Sequence, residues 1–106
     1  MELREYEDDD GRSPFQLWFK SVDATAAARI QRALTRLELG NTSNVKGVGR
    51  GVFELKIDFG PGYRVYFGKH GNEIVILLGG GTKKRQDRDI NSAQANWQNY
   101  KGHKKA

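Results

Sequence analysis

The chain has 106 residues, enough for one domain that buries roughly two-thirds of its unfolded surface, and its lack of cysteine excludes structural disulfides and thiolate metal sites. A net charge of +5 hides an asymmetry: Met1 to Asp10 carries six acids against Arg4 alone, which leaves seventeen basic and seven acidic side chains in residues 11–106. Such a surplus attracts polyanions or an acidic protein partner, while the longest apolar run, Ile74 to Leu78, is far too short for a membrane span and the acidic start is unlike a signal peptide. A cytoplasmic protein without membrane contact is the expectation.

In chain order, Glu2 to Tyr6 alternates weakly and suits an edge strand, and Glu7 to Gly11 is too acidic and turn-like to continue it. Ser13-Pro14-Phe15-Gln16 starts a short helix: Ser13 caps, Pro14 suits the first helical position, and Gln16 is placed to return a capping-box bond. Asp23 caps a second helix through about Leu39, with Ala27, Ile30, Leu34 and Leu37 on one face and Arg29, Arg32 and Arg36 on the other. A row of arginines on a helix is first of all a solvated face, with nucleic-acid contact the sharper reading. Gly40 supplies a left-handed cap, and Asn41 to Gly51 reads as a glycine-rich connection carrying Lys46 and Arg50.

Gly51 to Thr82 holds three apolar runs separated by Gly60-Pro61-Gly62 and His70-Gly71-Asn72, the pattern of an antiparallel meander. Alternation puts Phe53, Leu55, Ile57 and Phe59 with Tyr63, Val65 and Phe67 on one face, and Glu54, Lys56 and Asp58 with Arg64 and Tyr66 on the other. A three-residue hairpin loop sets Asp58 opposite Arg64 and Lys56 opposite Tyr66. Ile74 to Leu78 is apolar on both sides and belongs inside the sheet, after which Gly79-Gly80-Gly81 breaks the strand. A last helix carries Ile90, Ala93, Trp97 and Tyr100 and is expected over Val75 and Leu77; residues 102–106 form a basic tail that should fray. The expected architecture is one α+β domain over residues 1–106: a small antiparallel sheet, made of the N-terminal strand and the meander, with a helix hairpin on one face and a C-terminal helix.

Few motifs carry chemistry. Gly47-Val48-Gly49-Arg50-Gly51 precedes a strand instead of opening a helix, and Gly79 to Lys84 lacks the Gly-Lys-Ser/Thr ending of a phosphate loop, so no nucleotide cofactor is expected. His70, in a hairpin turn, and His103, in the tail, read as solvated residues without the spacing of metal ligands or of a nucleophile triad. What remains is Lys56, Arg64 and Tyr66 on the polar sheet face, with Lys83, Lys84 and Arg85 arriving from beyond the last strand. Cations beside an aromatic ring hold phosphates and stack a base. An Arg64–Asp58 bridge, with the Lys56 stem along Tyr66, explains the same residues equally well.

The order strand, helix hairpin, meander and terminal helix, with the segments ELKIDFGPGYRVYF and ILLGGGTKKRQDRDI, resembles the RelE/ParE toxin superfamily of bacterial toxin–antitoxin modules. The likeness is nearest to its phage-derived, HigB-like "addiction module killer" branch and is most specific from Leu55 to Gly81. It implies a metal-independent endoribonuclease that cuts messenger RNA in the ribosomal decoding site and arrests translation. In that reading Arg64 stabilises the phosphate transition state, Lys56 positions phosphate or acts as base, and Lys83 and Arg85 complete the catalytic set. Tyr66, Lys84, Arg50 and Lys46 then bind RNA. Asp58, and the segment Asp87 to Ile90, stand where the family's mechanism places a further lysine and a tyrosine. The partner implied is a cognate antitoxin, a helix-turn-helix protein with an acidic contact segment. The same fold also serves ParE-like inhibitors of DNA gyrase that have no nuclease site, and a non-catalytic antitoxin-binding domain is the third alternative.

Overall fold

The computed structural model describes residues 1–105. The chain runs β1 (Glu2–Glu5), α1 (Pro14–Phe19), α2 (Ala24–Glu38), β2 (Val45–Gly49), β3 (Val52–Ile57), β4 (Tyr63–His70), β5 (Ile74–Thr82), a 3-10 turn (Lys83–Arg85) and α3 (Gln86–Lys105). Five strands make one sheet in the order β1-β5-β4-β3-β2. The meander β3-β4-β5 is antiparallel, as its turn signals required, but β1 pairs parallel to β5, so the sheet is mixed. β2 is the strand that composition concealed: the glycine-rich connection pairs with β3 as an edge strand, where three of its five residues are exposed and glycine is tolerated.

Local signals set the helix ends. The Ser13 side chain accepts from the Gln16 N–H at 3.1 Å, and the Asp23 carboxylate accepts from the Ala26 N–H at 2.8 Å. The capping box is half-made, because the Gln16 amide donates instead to Glu5 on β1. At the end of α2, Gly40 adopts a φ of 95°, its N–H reaches the Leu37 carbonyl, and the Asn41 N–H reaches the Arg36 carbonyl. That pair of bonds is a Schellman cap, which needs a residue free to go left-handed.

The helix hairpin lies on the face that alternation assigned to it. Phe15, Ala26, Ile30, Leu34 and Leu37 close over Leu55, Ile57, Tyr63, Val65, Phe67, Val75 and Leu77. α3 covers the opposite face with Ala93 and Trp97 buried against Val52, Tyr66, Ile76 and Leu78, flanked by Ile90 and Tyr100. The stripe on α3 is the one its spacing gave, but it sits over Ile76 and Leu78, not over Val75 and Leu77, which point to the hairpin. β5 is therefore covered on both sides, with Val75 to Leu78 all buried. α3 continues through Gly102 to Lys105, where the chain was expected to fray, and Ala106 lies outside the described residues.

Two departures in the sheet decide the geometry of the polar face. First, the β3–β4 connection spans residues 58 to 62, and the register pairs Ile57 with Tyr63, Lys56 with Arg64 and Glu54 with Tyr66. The three-residue loop expected at Gly60 to Gly62 is thus replaced by a longer one that starts at Asp58, and every cross-strand pair moves by two residues. Second, the glycine run does not break β5. The strand continues to Thr82 through a bulge, because Tyr66 pairs with Gly79 and Phe67 with Leu77, leaving Leu78 extra. An extra residue inverts the alternation beyond it. Gly80 consequently lies under the Trp18 ring on the hairpin face, and Gly81 lies under the Asp89 carboxylate on the α3 face, where a Cβ at either position would collide.

Candidate functional site: a cationic cleft beside a buried Arg–Glu pair

The register places Arg64 in the middle of the sheet, opposite Lys56 on β3 and Gly81 on β5. Like charges directly opposite on adjacent strands repel, so Lys56 and Arg64 need a nearby anion. Glu54 supplies it. This side chain is 1% exposed, with its Oε1 3.2 Å from Arg64 Nε and accepting a 2.8 Å hydrogen bond from the Gln86 side chain at the start of α3. Lys46 Nζ, on the paired position of β2, stands 3.7 Å from the other carboxylate oxygen and is largely in solvent. Arg64 is therefore paired, but not with Asp58, which is exposed at the mouth of the loop.

The pair is incompletely satisfied. Arg64 Nη1 donates to the Gly62 carbonyl at 3.4 Å, while its Nε lies off the line required for a hydrogen bond to Glu54 and has no acceptor. The Tyr66 hydroxyl next to it is also buried without a partner. Burial pushes the Tyr66 ionisation well above its ordinary value, the Glu54 and Asp89 carboxylates add to the shift, and Arg64 opposes it, so the phenol stays neutral. Asp89 is likewise raised by burial, against the pull of Arg85 and Arg88. Each orphaned buried donor costs about 1–3 kcal/mol, so the polar end of the α3 face is held in place by the packing around it.

Around this pair opens a cleft of ≈ 330 Å³ bordered by Ser43, Asn44, Lys46, Glu54, Lys56 and Arg64. Lys56 and Lys46 are exposed on its rim, and Arg64 forms its floor with a side chain 6% exposed. Lys83 approaches from the Gly62 side: its N–H donates to the Gly62 carbonyl at 2.9 Å, and its Cβ lies 3.7 Å from where a Gly62 Cβ would stand. One carbonyl thus ties the last strand's exit to the arginine.

The other expected site residues fall elsewhere. Lys84 and Arg85 line a separate exposed hollow with Asp87 and Arg88, and Lys83 borders that hollow too. Arg50 occupies the β2–β3 turn with φ 57°, between Gly49, which faces Gln94 of α3, and Gly51, which faces Trp97. Tyr66 is fully buried beneath α3, so its ring is closed to a base, which corrects the expectation that it stood on an open face. His70 is also not a solvated turn residue: its Nε2 meets the Tyr100 hydroxyl at 3.1 Å, and its ring packs on Trp97. Glu54 and Gln86 are the residues whose place in the site sequence reasoning missed. The charge of Glu54 on the polar face was legible, but its burial depends on a helix that begins more than thirty residues later.

The fold and the cleft define a small α+β protein whose polar sheet face gathers cations around a buried Arg–Glu pair. Over residues 17–99 the chain matches the protein family described as Phage derived protein Gp49-like (DUF891), and it belongs to that family. It is also 43% identical, over 81 residues covering 76% of this chain and 82% of the relative, to an uncharacterized protein of Haemophilus influenzae.

Proposed function

We propose that the chain is the toxin of a type II toxin–antitoxin module and a metal-independent, ribosome-dependent endoribonuclease of messenger RNA. The observation that carries this reading is the convergence of Lys46, Lys56 and Arg64 on one cleft of ≈ 330 Å³, with the backbone of Lys83 tied to its Gly62 edge. In the reaction, the ribose 2′-oxygen bonds to the adjacent phosphorus as the bond to the 5′-oxygen breaks, giving a 2′,3′-cyclic phosphate and a 5′-hydroxyl. Arg64 and Lys83 stabilise the charge that grows on the phosphate oxygens. Lys56, exposed on the rim, holds the phosphate as a cation, while water or ribosomal RNA takes the 2′-hydroxyl proton and returns one to the leaving oxygen. Tyr66 takes no part, since its proton is held fast and its ring is covered.

The partner is a cognate antitoxin, a helix-turn-helix protein whose acidic segment lies over the same cations. One observation favours a second reading, a non-catalytic or gyrase-directed toxin: Arg64 is already engaged by Glu54. The deciding experiment is inducible expression in bacteria, with and without the neighbouring gene, followed by mapping of mRNA ends. Lys56→Ala is the informative variant because Lys56 is exposed and its loss leaves no buried charge behind. Translation-dependent mRNA ends that fall by about 100-fold in the Lys56→Ala strain support the nuclease, as expected for loss of a cation that stabilises the phosphate in the transition state. Growth arrest with intact mRNA and damaged DNA supports the gyrase reading instead.

A further inference from the structure

A second cationic cleft adjoins the first. β2 begins at Val45, and the last bond along that edge runs from the Lys56 N–H to the Asn44 carbonyl at 3.0 Å, so beyond Lys56 no strand covers β3. α2 faces the uncovered edge, and between them lies a cleft of ≈ 220 Å³ bordered by Arg29, Arg32, Arg36, Asn44, Lys56 and Asp58. Four cations meet one carboxylate there, and none of the four forms an ion pair among the described residues. Asn44 and Lys56 border both this cleft and the one over Arg64. The cationic surface is therefore continuous, and it passes around the sheet edge from the polar face to the helix-hairpin face.

We infer that this surface is a track for single-stranded RNA, which leads the strand from Arg64 over Lys56 onto Arg29, Arg32 and Arg36 of α2. The three arginines rise along about 10 Å of helix, so they meet successive points of an extended chain and not one compact ion. A path that turns around a sheet edge excludes a duplex, whose persistence length is about 150 base pairs, and suits a flexible strand held by its backbone charge. A helical peptide needs apolar anchors at helical spacing. The large apolar ring at this cleft, Phe59, is instead capped by the Arg29 guanidinium at 4.6 Å. The inference extends the nuclease reading by naming where the bound strand goes.

The test uses the full chain and unstructured RNA oligonucleotides of about 4 and 12 nucleotides with 2′-O-methyl riboses, which bind without being cut, followed by fluorescence anisotropy against salt. Single-stranded binding loses about 0.7 of a unit in the log–log salt slope for each phosphate contact removed. Arg29→Ala/Arg32→Ala/Arg36→Ala is therefore expected to flatten the slope for the long oligonucleotide by about 2. The same three positions changed to Lys should keep the slope, and the short oligonucleotide should bind all variants equally. Should the triple alanine variant lose its fold, Arg32→Gln/Arg36→Gln, which leaves Arg29 on Phe59, should flatten the slope by about 1.4. An unchanged slope, or an equal loss for both lengths, overturns the track. So does a variant that binds RNA normally but no longer binds a polyglutamate peptide, since the surface would then face protein. Cleavage of translated mRNA is scored separately: length-dependent binding without cleavage sinks the nuclease and leaves the track, and cleavage without length dependence does the reverse.

Discussion

On the hairpin face of the sheet every buried position is apolar, and α1 and α2 close over these side chains. On the α3 face, Trp97, Ile76 and Leu78 form an apolar end, while Glu54, Arg64 and Tyr66 fill the other end with a carboxylate, a guanidinium and a phenol that are buried and only partly satisfied. Burial of each large side chain on the first face contributes about 1.5–3 kcal/mol. An Arg–Glu pair on the second face stabilises little relative to apolar residues, because desolvation offsets its Coulomb attraction, yet it becomes costly once one partner is removed. Both faces therefore resist substitution, for different reasons, and only the second stands next to the cationic cleft. A polar core at that position keeps a cation fixed beside solvent, where an apolar one would only hold the sheet closed.

Glu54 is the point at which the polar end is most vulnerable. Glu54→Gln removes the counter-charge of Arg64 and should cost about 3–5 kcal/mol in denaturant unfolding, and adding Arg64→Met should restore much of it. Leu34→Ala on the hairpin face should cost a similar 2–5 kcal/mol, but no charge change at a second site should restore it. If the Glu54 double variant recovers nothing, the pair is not the organising contact of the polar end.

Tyr66 sharpens the contrast on a smaller scale. Its buried hydroxyl has no hydrogen bond whose loss would cost stability, so Tyr66→Phe should raise stability by about 1–3 kcal/mol. Because its folded ionisation lies above the unfolded value near 10, the folded state binds the extra proton between the two. That contribution is complete below pH 10 and is lost as pH rises above it. The wild-type protein should thus weaken in alkali more steeply than Tyr66→Phe, and parallel curves in the two proteins would show that the phenol is not buried.

The smallest effect is ionic. Lys56 faces Arg64, and Arg29, Arg32 and Arg36 crowd the adjoining cleft, so added salt should raise the melting temperature by about 2–5 °C through screening of these exposed cations. Lys56→Gln should reduce the gain, while the buried Glu54–Arg64 contact, little reached by counterions, should not contribute to it. A melting temperature that is flat with salt would mean that the cationic surface carries no strain.

Much of this architecture was written in the residues themselves. Period-two alternation assigned Leu55, Ile57, Val65 and Phe67 to one face, the caps at Ser13, Asp23 and Gly40 set the helix ends, and the stripe Ile90, Ala93, Trp97 and Tyr100 marked the buried side of α3. These signals are local, and each is read within a few residues. The partner of Arg64 is not local. Asp58 and Glu54 have the same charge on the same face, and the two-residue shift that separates one register from the other leaves every face unchanged, so alternation cannot distinguish them. Only the length of the loop from Asp58, the bulge at Leu78 that turns Gly81 toward Asp89, and the arrival of Gln86 from the far end of the chain select Glu54. The same tertiary placement buries Tyr66 and joins the α2 arginines to Lys56, because coverage of a sheet face is decided by which distant element packs on it.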